Sequence, residues 1–120
     1  MAFIKCSGGG KSQFEVVIKY HKSSETTIPT GSGITSGTFG HSGKLLVSAY
    51  VYVDSGRIPT NNLAINASYN TDYYYNSSVN RVSCRMWQLD VKSGDTYAMV
   101  QDGNGSSLRL QISAFGYLIY

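Results

Sequence analysis

Residues able to do chemistry are few in this sequence, and their spacing suits it poorly. The acids are Glu15, Glu25, Asp54, Asp72, Asp90, Asp95 and Asp102. Glycoside hydrolysis needs two carboxylates about 5–10 Å apart. Asp90 and Asp95 flank one turn, where stabilising that turn is the simpler role. His21 and His41 each sit in a Ser-rich stretch, and no G-x-S-x-G elbow accompanies them. Serines are everywhere, so a Ser–His–Asp triad has raw material but no motif. Gly8-Gly9-Gly10-Lys11-Ser12 lacks the preceding strand and the spacing of a phosphate loop. Asp102-Gly103-Asn104-Gly105-Ser106 opens like a calcium loop, but Ser113 stands where the closing Glu belongs. Cys6, Cys84 and the two histidines have no metal-ligand spacing. The cysteines read as free thiols, Cys6 exposed and Cys84 a small core hydrophobe. A disulfide is the less favoured alternative for a chain begun in a cytoplasm. The expectation is therefore no catalytic residue, no metal, no cofactor and no enzyme.

Binding chemistry is better supplied. Ten tyrosines and one tryptophan stand among 120 residues. Tyr69, Asn70, Asp72, Tyr73, Tyr74 and Tyr75, joined by Trp87, make the best candidate ligand site. Exposed aromatic rings give contact area at low entropic cost. The neighbouring Asn and Asp groups, Asn76 included, would meet ligand hydroxyls. The plainer alternative is that these tyrosines cover one end of the domain.

The elements that would hold these residues are short strands. Ser12–Tyr20 is strand-like, with Phe14, Val16 and Ile18 on one face and Val17 and Tyr20 breaking the alternation. Ile34 and Thr38-Phe39 seed one short strand within a Ser/Thr/Gly-rich stretch. Lys44–Val53 is the clearest strand. Its Leu45, Val47, Ala49, Val51 and Val53 make a core face; Leu46, Ser48, Tyr50 and Tyr52 make an aromatic, half-polar face suited to a subunit contact. Leu63, Ile65, Ala67 and Tyr69 alternate, and residues 70–78 read as a loop. Val79–Val91 reads as a strand, with Val82, Cys84 and Met86 opposite Arg85, Trp87 and Leu89. Thr96–Gln101 and Leu108–Ala114 follow, joined by a D-G-N-G hairpin signal. Eight short strands at turn spacings of about 8–12 residues indicate an all-β, antiparallel jelly-roll sandwich of eight to ten strands. Residues 1–11 form a glycine-rich arm before a domain at 12–120.

Composition excludes other classes. Charged residues make up 14%, against about 25% in ordinary domains. The net charge is +3, with Lys and Arg scattered rather than striped. Nucleic-acid binding is not expected. No apolar run approaches the roughly 20 residues of a membrane span. The N-terminus has no secretory apolar core. Synthesis in a cytoplasm is expected, with arrival at a surface by another route, such as a virion. The sequons at Asn66, Asn76 and Asn104 then read as accidental.

Three segments carry a resemblance. Gly43–Val53 (GKLLVSAYVYV), Leu89–Val100 (LDVKSGDTYAMV) and Ser113–Tyr120 (SAFGYLIY) resemble the tumour necrosis factor and complement globular-head superfamily. Gly94-Asp95 and Phe115-Gly116-Tyr117-Leu118-Ile119 match that family's short motifs best. Two departures stand out: Phe115 and Gly116 are adjacent, and Leu45-Leu46 replaces a common aromatic. The resemblance covers about two thirds of the chain. It implies a ten-stranded jelly roll, a tight homotrimer with Tyr50, Tyr52, Tyr117 and Tyr120 at the subunit interface, and in some members a calcium site shared between subunits. The same fold serves as a receptor-binding tip in some bacteriophage tail proteins and in bacterial surface proteins. The leading expectation is thus a trimeric virion or surface adhesion module for host carbohydrate or protein. A structural assembly protein, contacting only itself and other virion proteins, is the second. A small hydrolase is a distant third.

Overall fold

The computed structural model describes residues 12–24, 33–53, 60–79, 81–102 and 110–120. The arm at 1–11 with Cys6, and the hairpin turn expected at 103–105, lie outside the described residues. The strands are β1 (Phe14–Ser24), β2 (Gly33–Thr38), β3 (Gly43–Val53), β4 (Thr60–Ile65), β5 (Ser68–Tyr69), β6 (Tyr75–Val79), β7 (Val82–Val91), β8 (Thr96–Asp102) and β9 (Leu110–Ile119). They form two antiparallel sheets, ordered β1-β9-β3-β7-β6 and β2-β8-β4-β5. With β6 set aside as an added edge strand, β7, β8 and β9 count as sixth, seventh and eighth. The orders then read 1-8-3-6 and 2-7-4-5. Those are two interleaved Greek keys, the connectivity of a jelly roll.

The core lies where the alternation of β3 put it. Leu45, Val47, Ala49, Val51 and Val53 are all buried. Ala114 and Leu118 of β9 and Trp87 and Val91 of β7 join one cluster with Leu63 of β4 and Met99 of β8, while Ile112 packs with Val51 and Val53 in a second. Each large apolar side chain fully buried this way contributes about 1.5–3 kcal/mol. Gly116 is buried mid-sheet, where a side chain would be tightly placed. A Cβ there would stand 3.1 Å from both Ile18 Cβ and Val47 Cγ2.

The strand readings need four corrections. The pairing of β1 with β9 shifts between Val16 and Ile18. This bulge sends Phe14 and Val16 outward while Ile18 turns into the core, so the three do not share a face. The hydroxyl of Tyr97 closes the irregularity by donating to the carbonyl of Val17 at 2.7 Å. Second, the strand expected through Tyr69 stops at Ile65. Asn66 and Ala67 have φ of 50° and 64°, the positive pair that a tight hairpin turn demands. The Asn66 side chain fixes that turn by accepting the Thr96 backbone N–H at 2.9 Å. Third, the expected loop at 70–78 holds a strand, since Tyr75–Val79 pairs with β7 and Val79 lies opposite Val82. Fourth, Cys84 is a free thiol on the outer side of β7, only partly buried, and not a core residue.

Candidate functional site

Antiparallel pairing lines up the outward residues of the five-stranded sheet in rows across the strands. One row is Val16–Tyr117–Leu46–Gln88. The next is Lys19–Phe115–Ser48–Met86–Tyr75, and then His21–Ser113–Tyr50–Cys84–Ser77. The last is Gln111–Tyr52–Val82–Val79. Phe14, Val16, Phe115, Met86 and Val79 are exposed, with Val16 at 56% and Phe115 at 43%. Phe14, Tyr117 and Phe115 form a chain of ring contacts at 6.2 and 6.0 Å. At the centre, Leu46, Ser48, Tyr74, Met86, Phe115 and Tyr117 line an apolar groove of about 160 Å³. Formal charge on this face, among the described residues, is marginal. Lys19 and His21 lie on β1, and Lys44 pairs with Asp90 at 2.9 Å near one end. Val16, Leu46, Met86, Phe115 and Tyr117 thus adjoin on a face whose other rows carry Ser, His and Gln.

The aromatic segment at 69–75 is split by its anchoring. Trp87, expected to offer an exposed ring, is 1% exposed. Its place on the inner face of β7 puts it in the core, where its indole N–H donates to the Asn70 carbonyl at 3.0 Å. It is therefore a positioning residue for the segment. The Asn70 side chain accepts the Asp72 backbone N–H at 2.9 Å, a local turn that holds the same stretch. Tyr73 turns inward onto Trp87, ring centroids 5.7 Å apart, with the Arg85 guanidinium 4.7 Å from its ring. Tyr74 and Tyr75 are left outside, where Tyr74 lines the groove and Tyr75 lies opposite Met86. Tyr69 is exposed on β5 of the other sheet.

The four interface candidates are split too. Tyr50, Tyr52 and Tyr117 stand on the outer face of the five-stranded sheet. Tyr120 does not. It stacks on His41 at 3.9 Å with planes 6° apart and also packs against the core. Phe14, Val16, Met86 and Phe115 belong to the face and were not singled out from the sequence. Their signal was available for Phe115, because it alternates with the buried Ala114 and Gly116.

Groups with catalytic potential are occupied in other ways. His21 Nδ1 lies 2.7 Å from Ser113 Oγ. The pair has no carboxylate partner among the described residues. The N–H groups of β9 are taken up by ladders to β1 and β3. Asp90 pairs with Lys44, while Asp95 accepts from the Lys92 backbone N–H at 2.9 Å and from the Asn66 amide at 3.2 Å. Those two hydrogen bonds, the backbone one first, hold the Asp95 carboxyl below its ordinary value. No protein-family model matches the chain, and no curated protein does either.

Proposed function

We propose that this chain is a non-enzymatic binding and assembly module, a homotrimer that packs the outer face of its five-stranded sheet around the symmetry axis. The carrying observation is the apolar face just described, open across all five strands. Four strands of about 10 residues and β6 of 5 residues, about 4.8 Å apart at about 3.3 Å per residue, make roughly 700 Å². A standard stable interface takes about 800 Å² from each partner. The strand connectivity and the Gly94-Asp95 and Phe115–Ile119 motifs agree with the tumour necrosis factor and complement-head resemblance, whose members assemble in this manner. In that setting the module serves as a virion or cell-surface adhesion domain. Tyr69, Asp72 and the polar groups around them stay outside the interface, free for host carbohydrate or protein.

A second reading is a structural assembly protein with no separate ligand. It is favoured by one observation. Tyr74 and Tyr75 join the apolar face, which leaves fewer exposed rings for a sugar. Light scattering from micromolar to millimolar concentration tests the shared part, with a trimer mass expected and a persistent monomer refuting it. A glycan array then separates the two readings. Saturable binding lost in Tyr69→Ala supports adhesion; an array blank for both proteins supports assembly alone.

A further inference from the structure

The β1 side of the outer face carries a hollow of its own beside the apolar groove. Antiparallel pairing sets six outward positions there in two rows. Lys19, Phe115 and Ser48 make one row; His21, Ser113 and Tyr50 make the next. Large and small side chains alternate across this tile. The rings of Phe115 and Tyr50 stand on one diagonal, and the short Ser48 and Ser113 lie on the other. The serines leave a depression between the taller rings. Its volume is about 490 Å³, within the range of about 300–1,000 Å³ typical of small-molecule sites. The hollow opens to solvent, for Tyr50 is 37% and Phe115 43% exposed, and Lys19 and His21 are exposed beside them.

Its lining holds a cation and no anion. The Lys19 ammonium makes no ion pair or hydrogen bond among the described residues, and no carboxylate lines the hollow. Glu15 stands opposite the buried Leu118, on the other side of β1 from Lys19. Asp90 is taken by Lys44. His21 is fixed over the hollow by its 2.7 Å contact with Ser113 Oγ. An unpaired ammonium, an imidazole, three hydroxyls and two ring faces therefore converge on one cavity.

We infer that this hollow binds a small acidic sugar, a hydroxylated ring bearing a carboxylate. Lys19 takes the carboxylate in a charge-assisted contact. The hydroxyls of Ser48, Ser113 and Tyr50 both donate and accept, which suits ring hydroxyls. Phe115 gives the apolar side of the ring a flat wall. A consequence for assembly rests on the homotrimer reading. Packing this face withdraws Lys19 from water without a counter-charge, which is costly. A bound carboxylate supplies that charge, so ligand binding favours the trimer by mass action.

The test is calorimetric titration of the whole chain with sodium glucuronate, glucose and sodium sulfate at constant ionic strength, with sedimentation of the same samples. Glucuronate is expected to bind at least tenfold more tightly than glucose or sulfate. It should also lower the concentration at which trimers form. Lys19→Gln should weaken glucuronate binding at least tenfold and, without ligand, assemble at lower concentration than the unmodified chain. Glucose or sulfate binding as tightly as glucuronate would overturn the acidic-sugar assignment. No glucuronate binding, or binding unchanged in Lys19→Gln, would overturn the site. Glucuronate that dissociates the trimer would overturn the linkage. A chain that binds glucuronate but stays monomeric at every concentration would support the site and refute the homotrimer instead.

Discussion

Phe115→Asp places a charge at the centre of the outer face, and its effect can be worked out. Phe115 leaves 43% of its surface exposed. For a side chain that buries about 200 Å², that is roughly 85 Å² still in water. At about 25 cal/mol per Å², covering it is worth about 2 kcal/mol per protomer. Three protomers lose about 6 kcal/mol, or roughly four powers of ten in the trimer association constant. The carboxylate's desolvation adds to this, so the figure is a lower bound. The fold loses stability as well: the part of Phe115 not exposed, roughly 115 Å², is covered within the protomer and worth about 3 kcal/mol at the same coefficient, and the poorer strand propensity of Asp adds up to about 1 kcal/mol. The assay is sedimentation or light scattering across a concentration series, paired with thermal melting of the same samples. The expected variant is a folded monomer where the unmodified chain is a trimer. A Phe115→Asp protein that assembles at unchanged concentrations would refute the reasoning.

Three further outcomes concern the fold beneath that face. Gly116→Val should cost about 1–3 kcal/mol through overpacking, because its side chain would press on Ile18 and Val47; a chemical denaturation midpoint at or above that of the unmodified chain contradicts this. Ala67→Gly should add about 1 kcal/mol, since Ala67 sits at φ 64°, where a side chain is strained; the same denaturation curve reads it. Asp95 has its folded-state pKa held below the ordinary 3.8 by the Lys92 N–H and Asn66, so the stability it adds is present above that value and lost as pH falls through the folded one. Melting midpoints of Asp95→Asn should accordingly fall less on acidification than those of the unmodified chain, and parallel acid profiles would exclude the role.

The sequence by itself determined the class of fold. Alternation in Lys44–Val53 is strict, and a two-residue period with one apolar side leaves a strand a single way to sit on a core. Turn chemistry at Gly94 and Asp95 marked the β7–β8 corner, where Gly94 takes φ of 91°. The aromatic half-polar face of β3 was also legible, because Tyr50 and Tyr52 alternate with buried valines. Other features came only from tertiary structure. The bulge at Val17 reverses the facing of β1; the break in alternation at Val17 and Tyr20 is visible in the sequence, but not which residues then face the core. Trp87 looks like a binding residue when its neighbours are read along the chain. Its burial follows from which side of β7 meets β4, a matter of packing between sheets. The joining of Phe115, Met86, Leu46 and Tyr74 into one surface rests on strand order. The meeting of Arg85 with Asn61, 24 positions apart, rests on how the two sheets stack. Period fixes which residues share a side of one strand, while only the assembled sheets decide which strands become neighbours.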